Sequence, residues 1–303
     1  MLLNQSQQEK FKKYQLIVLT NLSLIGWVLL IMMPDIFQYG IQLTLLLATV
    51  TIIGIPHGYF DFLIAKKLFS GYRHWLEKFI LTYLSMSVIY LFVWILSPIL
   101  GLISFLFMAV YHFGQEETED IKDRSKVLIL TLGSVPVLSP MLFQTTEVFY
   151  LFNILLNQKL TYPEFPLILK LSYIFLITVI LFMKAKKILP LYTLLIVNFI
   201  YLPPLISFIL YFCFHHSLRH YLQSFSDSNL FPKLVSIKNI SFFFLGLTII
   251  FTIGTIYLLS TYSSFSLEEI VIKYTFISLA CLTLPHLLLN IVYEHKLSSK
   301  ILN

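Results

Sequence analysis

The sequence predicts an all-α, polytopic transmembrane helical bundle of about 8–10 spans. Three observations carry that expectation. Of the 303 residues, 58% are hydrophobic and only 12% are charged, about half the charge of a soluble domain. Apolar stretches recur that reach or approach the roughly 20 residues needed to cross a bilayer. These stretches are continuous, whereas a transmembrane β-barrel would show short alternating strands. Residues 1–303 read as a single integral-membrane domain, with no internal repeat and no low-complexity tail.

The first apolar run, 14–33, follows Lys10, Lys12 and Lys13 as a signal peptide would. It is long for one, and no small-x-small cleavage site follows, so it reads as the first membrane helix. Further segments are expected at about 41–65, 77–97, 99–114, 127–143, 165–183, 188–202, 204–222, 239–260 and 270–293. The fifth and seventh are short and contain or abut Pro136, Pro140, Pro203 and Pro204. The connection 144–164 carries no motif. With the N-terminus in the cytoplasm, 18 of the 21 Lys and Arg residues fall in cytoplasmic ends and loops; Lys159, Lys170 and Lys273 do not. That asymmetry predicts a multi-pass protein of the cell (inner) membrane with both termini cytoplasmic. It also explains the net charge of +6 without nucleic acid. Cys213 and Cys281 lie in apolar segments and imply neither a disulfide nor a cysteine metal site.

Against this background the eight histidines stand out. His74 and His295 fall in predicted cytoplasmic connections. His57, His112, His215, His216, His220 and His286 fall in segments 2, 4, 8 and 10, all of which run outward to inward. Polar groups at membrane depth are costly, face the bundle interior and mark function; the plainer alternative is that each histidine hydrogen-bonds a neighbouring helix. His216 and His220, four apart in FCFHHSLRHY (212–221), share one helix face at chelating distance. His215 is rotated about 100° away on an α-helix and has Arg219 at i+4, so it reads as a packing residue or a support for a ligand. In GIPHGYFD (54–61), Pro56 can kink the helix, Gly58 can admit a close neighbour, and Asp61 can accept the distal N–H of a ligating imidazole or sit solvated at the membrane edge. YHFGQEE (111–117) places His112 before an acidic run of Glu116, Glu117, Glu119, Asp120 and Asp123, read as a solvated loop in which one of the first two can support a ligand. TLPHLLLN (283–290) sets His286 after Pro285, with Asn290 one turn on; a kink with a polar lining is the milder reading.

Four neutral imidazoles without carboxylate or thiolate suit iron, copper, zinc or nickel. A metal held inside a lipid bilayer is well placed for oxygen chemistry on an apolar substrate, since both partition there. The set PHGYFD, HFG, HSLRH and LPH, in this order and helix placement, resembles the bacteriorhodopsin-related-protein-like (Brp/Blh) family of membrane β-carotene dioxygenases. The resemblance runs from segment 2 to segment 10. It implies cleavage of the central 15,15′ double bond of β-carotene by O₂ into two molecules of all-trans-retinal, at a non-haem Fe(II) held by His57, His112, His216 and His220. Asp61, His215 and His286 are the residues placed to support those ligands. The resemblance further implies a lipid-dissolved substrate and a retinal product passed to a microbial rhodopsin.

Other readings meet this pattern less well. A di-iron hydroxylase or desaturase needs about eight histidines in several boxes, and one HxxxH pair is present. Haem ligation pairs histidines across two helices with wide spacing within each helix, and no such pairs appear. A transporter or another histidine-metal membrane oxidase acting on a lipid remains the alternative; broken helices in matching halves would favour the transporter, and the sequence shows no such symmetry.

Overall fold

A computed structural model describes residues 5–119, 121, 124–219 and 234–301, with the side chains of 5–12, 56–57, 234–244 and 297–301 excepted. Among the described residues every regular element is helical. In chain order these are α1 (Gln5–Met32), α2 (Tyr39–Thr49), α3 (Phe60–Phe69), α4 (Trp75–Leu96), α5 (Pro98–Glu117), α6 (Lys126–Phe143), α7 (Thr145–Leu156), α8 (Leu167–Lys184), α9 (Leu189–Tyr201), α10 (Pro204–Phe208), α11 (Leu234–Tyr262) and α12 (Leu267–Ile301).

Seven of the described helices contain stretches long and apolar enough to cross a membrane: Lys13–Met32, Trp75–Leu96, Pro98–Glu117, Lys126–Phe143, Leu167–Lys184, Leu245–Tyr262 and Leu267–Lys296. Their outward faces are greasy. Ile31 is 74% exposed, and Phe175 and Ile250 are each 70% exposed. A water-soluble surface does not tolerate that density of apolar side chains, and lipid does. The chain is an all-α, multi-pass membrane protein. The proline-bearing α6 is continuous through Pro136 and Pro140, as membrane helices allow when neighbours satisfy the freed backbone.

Two expected membrane segments are broken where histidines lie. After α2 the chain is π-helical over Val50–Gly54 and 3₁₀ over Ile55–Tyr59 before α3 begins. After α10 it is π-helical over Ile209–Ser217. The segment 204–222 is therefore not the plain α-helix that the sequence suggests. The 100° per residue assumed for His215 and His216 does not hold there, because π-turns close i→i+5. A second difference is α7, which occupies most of the connection read as featureless. It buries Val148, Leu151, Ile154, Leu155 and Leu156. Asn157 ends it with φ 53, and the Gln158 N–H closes back on Asn153 O at 3.3 Å, the left-handed helix stop that Asn tolerates.

The chain groups into two compact units. The first comprises Met1–Gln8, Leu47–Leu102 and Ser217–Asn303, and the second Glu9–Leu46 and Ile103–His216. In the first unit α12 packs against α4, α3 and α11. Ala65, Leu68 and Leu289 form a small core flanked by Trp75 and Phe79. Lys296 donates to Leu68 O at 2.9 Å, a cation at the carboxyl end of α3 where the helix dipole favours one.

In the second unit α6 packs against α7, α8 and α9. Leu128, Leu132, Val135, Ile177, Leu181, Leu195 and Phe199 are buried there. Ser125 caps α6 by accepting from the Leu128 N–H at 3.3 Å. Polar ties cross the apolar core. Asn198 donates to Ser23 Oγ at 2.8 Å. Gln144 donates to Phe199 O at 2.9 Å and also to Leu202 O, satisfying carbonyls that the end of α9 leaves open.

Two glycines set the spacing of α5 and α6. A methyl group on Gly114 would lie 1.9 Å from Ile129 O, and one on Gly133 1.7 Å from Val110 O. The backbones touch because neither position carries a side chain. Gly58, the glycine singled out for close approach in the sequence, has open space within 4 Å of its Cβ position.

Candidate metal centre

In the second unit, α5 and the π-helical stretch bring His112 and His216 together. Their rings meet edge to face with centroids 5.1 Å apart, and the two side chains are 5% and 1% exposed. Phe113 stands edge-on to His216 at 4.8 Å, and Phe212 lies parallel to it at 5.6 Å. The imidazoles thus face each other inside an aromatic wall.

The first two acidic residues after His112 are helical and not part of the solvated loop expected from the sequence. Glu116 and Glu117 are the last two residues of α5. Glu116 is one turn from His112 on the same face. Its Oε1 lies 3.5 Å from His112 Nε2, and its Oε2 lies 3.2 Å from His216 Nδ1. Glu117 is buried and meets His215 Nε2 at 2.8 Å. Glu119 is exposed, and Asp120 and Asp123 lie outside the described residues. The reason is the length of α5: it carries the helical turn two residues past Gln115, so the first two carboxylates face the site.

His215 has a different set of neighbours from His216. The Gln15 amide donates to His215 O at 2.6 Å and meets His215 Nδ1 at 3.1 Å. One Gln15 nitrogen serving both fixes Nδ1 as acceptor, so Nε2 carries the proton that it gives to Glu117 (a tautomer assigned from the hydrogen bonds). Gln15 ties the first turns of the α1 membrane stretch to the site. Nothing in its sequence surroundings marks it out except its polarity at the edge of an apolar run.

The first unit holds a second buried polar chain. Asp61 is 2% exposed, which removes the alternative of a solvated residue at the membrane edge. Its Oδ1 lies 2.7 Å from His286 Nδ1, and its Oδ2 accepts from Tyr83 Oη at 2.7 Å. Asn290 meets His286 Nε2 at 3.1 Å. Among the described residues, Asp61 thus orients His286, on α12. The 225-residue separation left this pair out of reach of sequence spacing. Tyr83 also lines a cleft of about 470 Å³ whose walls include Phe69, Trp75, Phe79, Met86 and Leu289. The side chain of His57 and the whole of His220 lie outside the described residues.

A model of the family described as "Beta-carotene 15,15'-dioxygenase" matches residues 48–293, which include His57, His112, His215, His216, His220 and His286. The chain belongs to this family. The chain is also similar to the "Beta-carotene 15,15'-dioxygenase" of Uncultured marine bacterium 66A03, with 29% identity over 262 residues, covering 80% of this chain and 90% of the relative. No solved structure matches. The family match supports the resemblance drawn from PHGYFD, HFG, HSLRH and LPH, and with it a carotenoid-cleaving dioxygenase.

The donor set fits the metal that such an enzyme implies. His112 and His216 offer neutral ring nitrogens in a water-poor, aromatic enclosure, and imidazole is a ligand that iron accepts. The hydrogen bond of His215 to Glu117 is of the kind that holds a ring in place beside a metal site.

Proposed function

We propose that this chain cleaves the central 15,15′ double bond of β-carotene with O₂, giving two molecules of all-trans-retinal, at a non-haem iron. The observation that carries the reading is the family match over residues 48–293. The facing imidazoles of His112 and His216 support it. With His57 and His220, which the family resemblance assigns, they would hold the ion.

When bound, iron supplies the uptake and activation of O₂ next to the alkene. The chain's own residues do the rest. His112 and His216 fix the ion's position from α5 and the π-helical stretch. Glu117 and Gln15 hold His215, and through the adjoining backbone they hold the neighbouring His216. Phe113 and Phe212 exclude water from His216, which limits competing reactions. Asp61, Tyr83 and Asn290 orient His286. Since the substrate is symmetric, selectivity for its middle requires apolar walls that stop it at a set depth. The released retinal is of the size and polarity to partition to a lipid-embedded acceptor such as a microbial rhodopsin.

Expression in a β-carotene-producing bacterium tests this reading. The cells should lose their orange colour while retinal accumulates in extracts. Unchanged colour and no retinal, with the protein present in the membrane, would overturn it.

We further infer that the protein sits in the cell membrane with both termini in the cytoplasm, from the 18 of 21 basic residues that share one set of loops. Reporter fusions in the 66–76 connection and after Asn303 should both report cytoplasm. A periplasmic signal from either would reverse the assigned orientation.

A further inference from the structure

We propose that Glu116 is a direct ligand of the metal, so that the centre includes a carboxylate and is not made of imidazoles alone. The inference rests on the proposed iron site and specifies its composition.

Asp61, Glu116 and Glu117 make four close contacts with histidines, and these differ in geometry. His215 meets Glu117 at 2.8 Å and His286 meets Asp61 at 2.7 Å. Those are the lengths of charge-assisted hydrogen bonds, about 2.7–2.9 Å. Glu116 stands apart. It approaches two imidazoles at once, at 3.5 Å from His112 Nε2 and 3.2 Å from His216 Nδ1. Both separations are longer than the hydrogen bonds of its neighbours. Both match what a shared ion imposes: donors at about 2.0–2.2 Å from one metal lie roughly 3.0 Å apart at right angles and about 3.4 Å apart at a tetrahedral angle.

Sequence position agrees. Glu116 follows His112 by four residues inside α5, so nitrogen and oxygen donors project from one helix face one turn apart. His216 turns its Nδ1 to the same carboxylate. Charge agrees as well. A divalent ion held by neutral imidazoles alone would carry its full charge into a low-dielectric site, and an anionic ligand lowers that cost. Histidines joined by a carboxylate are a donor set that non-haem iron oxygenases use. The ligating atoms assigned by the geometry are His112 Nε2 and Glu116 Oε1, with the second carboxylate oxygen, Oε2, turned toward His216 Nδ1.

Cobalt(II), whose visible absorption reports its ligand set, provides the test. The purified full-length protein, stripped and reloaded with Co(II), is compared with E116Q, E116D and E117Q, each at saturating metal. Ligation by Glu116 requires the E116Q bands to move in position and intensity, with Co(II) affinity falling by more than 100-fold. E116D should keep a carboxylate-type spectrum, and E117Q should keep the wild-type spectrum. An E116Q spectrum superimposable on wild type at saturation overturns the proposal, because an outer partner alters affinity without altering the ligand set. If the wild-type protein, active or not, takes up no Co(II) or iron, the metal reading fails and this inference falls with it. If the wild type binds and E116Q is unchanged, only this inference fails. Circular dichroism and detergent-gel elution of E116Q, a near-isosteric change, separate a ligand effect from misfolding.

Discussion

Replacing His216 by glutamine is expected to abolish both iron binding and retinal formation, while replacing its neighbour His215 by glutamine leaves iron bound and a measurable residue of activity. The two rings are equally buried, at 1% exposure each, so burial does not distinguish them. Their partners do. His216 faces His112 and Glu116 inside the aromatic wall, whereas His215 is held by Glu117 and Gln15. A group that orients a ligand contributes about 10–100-fold to affinity or activity, and a ligand contributes the site. The glutamine in H215Q can still donate to Glu117, which lowers the cost further. Iron per chain by elemental analysis and retinal by chromatography give the two readouts. H112A should behave as H216Q does. H74A should do little: His74 is 52% exposed, beside Glu77, away from membrane depth. If H215Q lost its iron while H216Q kept it, the π-helical turn would be presenting His215 to the metal, and the ligand assignment would be wrong.

That a π-turn carries these residues shows where sequence reading stops. The membrane segments are legible because a bilayer demands uninterrupted apolar length, and composition alone meets that demand. The loop lysines are legible because orientation is set by charge near the helix ends. The histidine motifs are legible because polar rings at membrane depth need a reason. The bends at Val50–Gly54 and Ile209–Ser217 are not legible, because an i→i+5 turn follows from packing against neighbours rather than from residue type. α7 is missed because its 12 residues are too few to span, and hydropathy length is the signal in use; Asn157, a residue tolerant of left-handed backbone, marked its end. Glu116 and Glu117 are only half legible: a run of five acidic residues looks like solvent, so one of the first two reads as a support for a ligand, whereas both lie inside α5. Their distance from His112, four and five residues, offered the helical alternative. Asp61 shows the opposite limit. Its proximity to His57 in sequence suggested a partner, and the fold supplies His286 from a helix more than two hundred residues away.

Gly133→Ala and Gly114→Ala are expected to disrupt the second unit severely, because of the glycines whose surroundings are described these two alone would bring a methyl group within 2 Å of a neighbouring atom. At Gly133 the new carbon would sit 1.7 Å from Val110 O and 2.7 Å from Gly114 N. At Gly114 it would sit 1.9 Å from Ile129 O. Each clash is with backbone, which cannot rotate away as a side chain can, so α5 and α6 must part along their line of contact. Overpacking a core costs about 1–3 kcal/mol where side chains can adjust, and separation of two helices should exceed that range. The consequence reaches the site directly, because Gly114 lies between His112 and Glu116 on α5. Gly254→Ala provides the control: it sits in α11 with open space within 4 Å, and removing a helical glycine there should stabilise by about 0.5–1 kcal/mol. The measurement is thermal unfolding in detergent, followed by bound iron in whatever fraction stays folded. G133A and G114A should show a large drop in Tm or no monodisperse protein at all, and the surviving fraction should bind less iron. G254A should match or exceed the wild type. A G133A protein with unchanged Tm and full iron would mean that α5 and α6 do not meet through their backbones, and the positioning of His112 and Glu116 would need another cause.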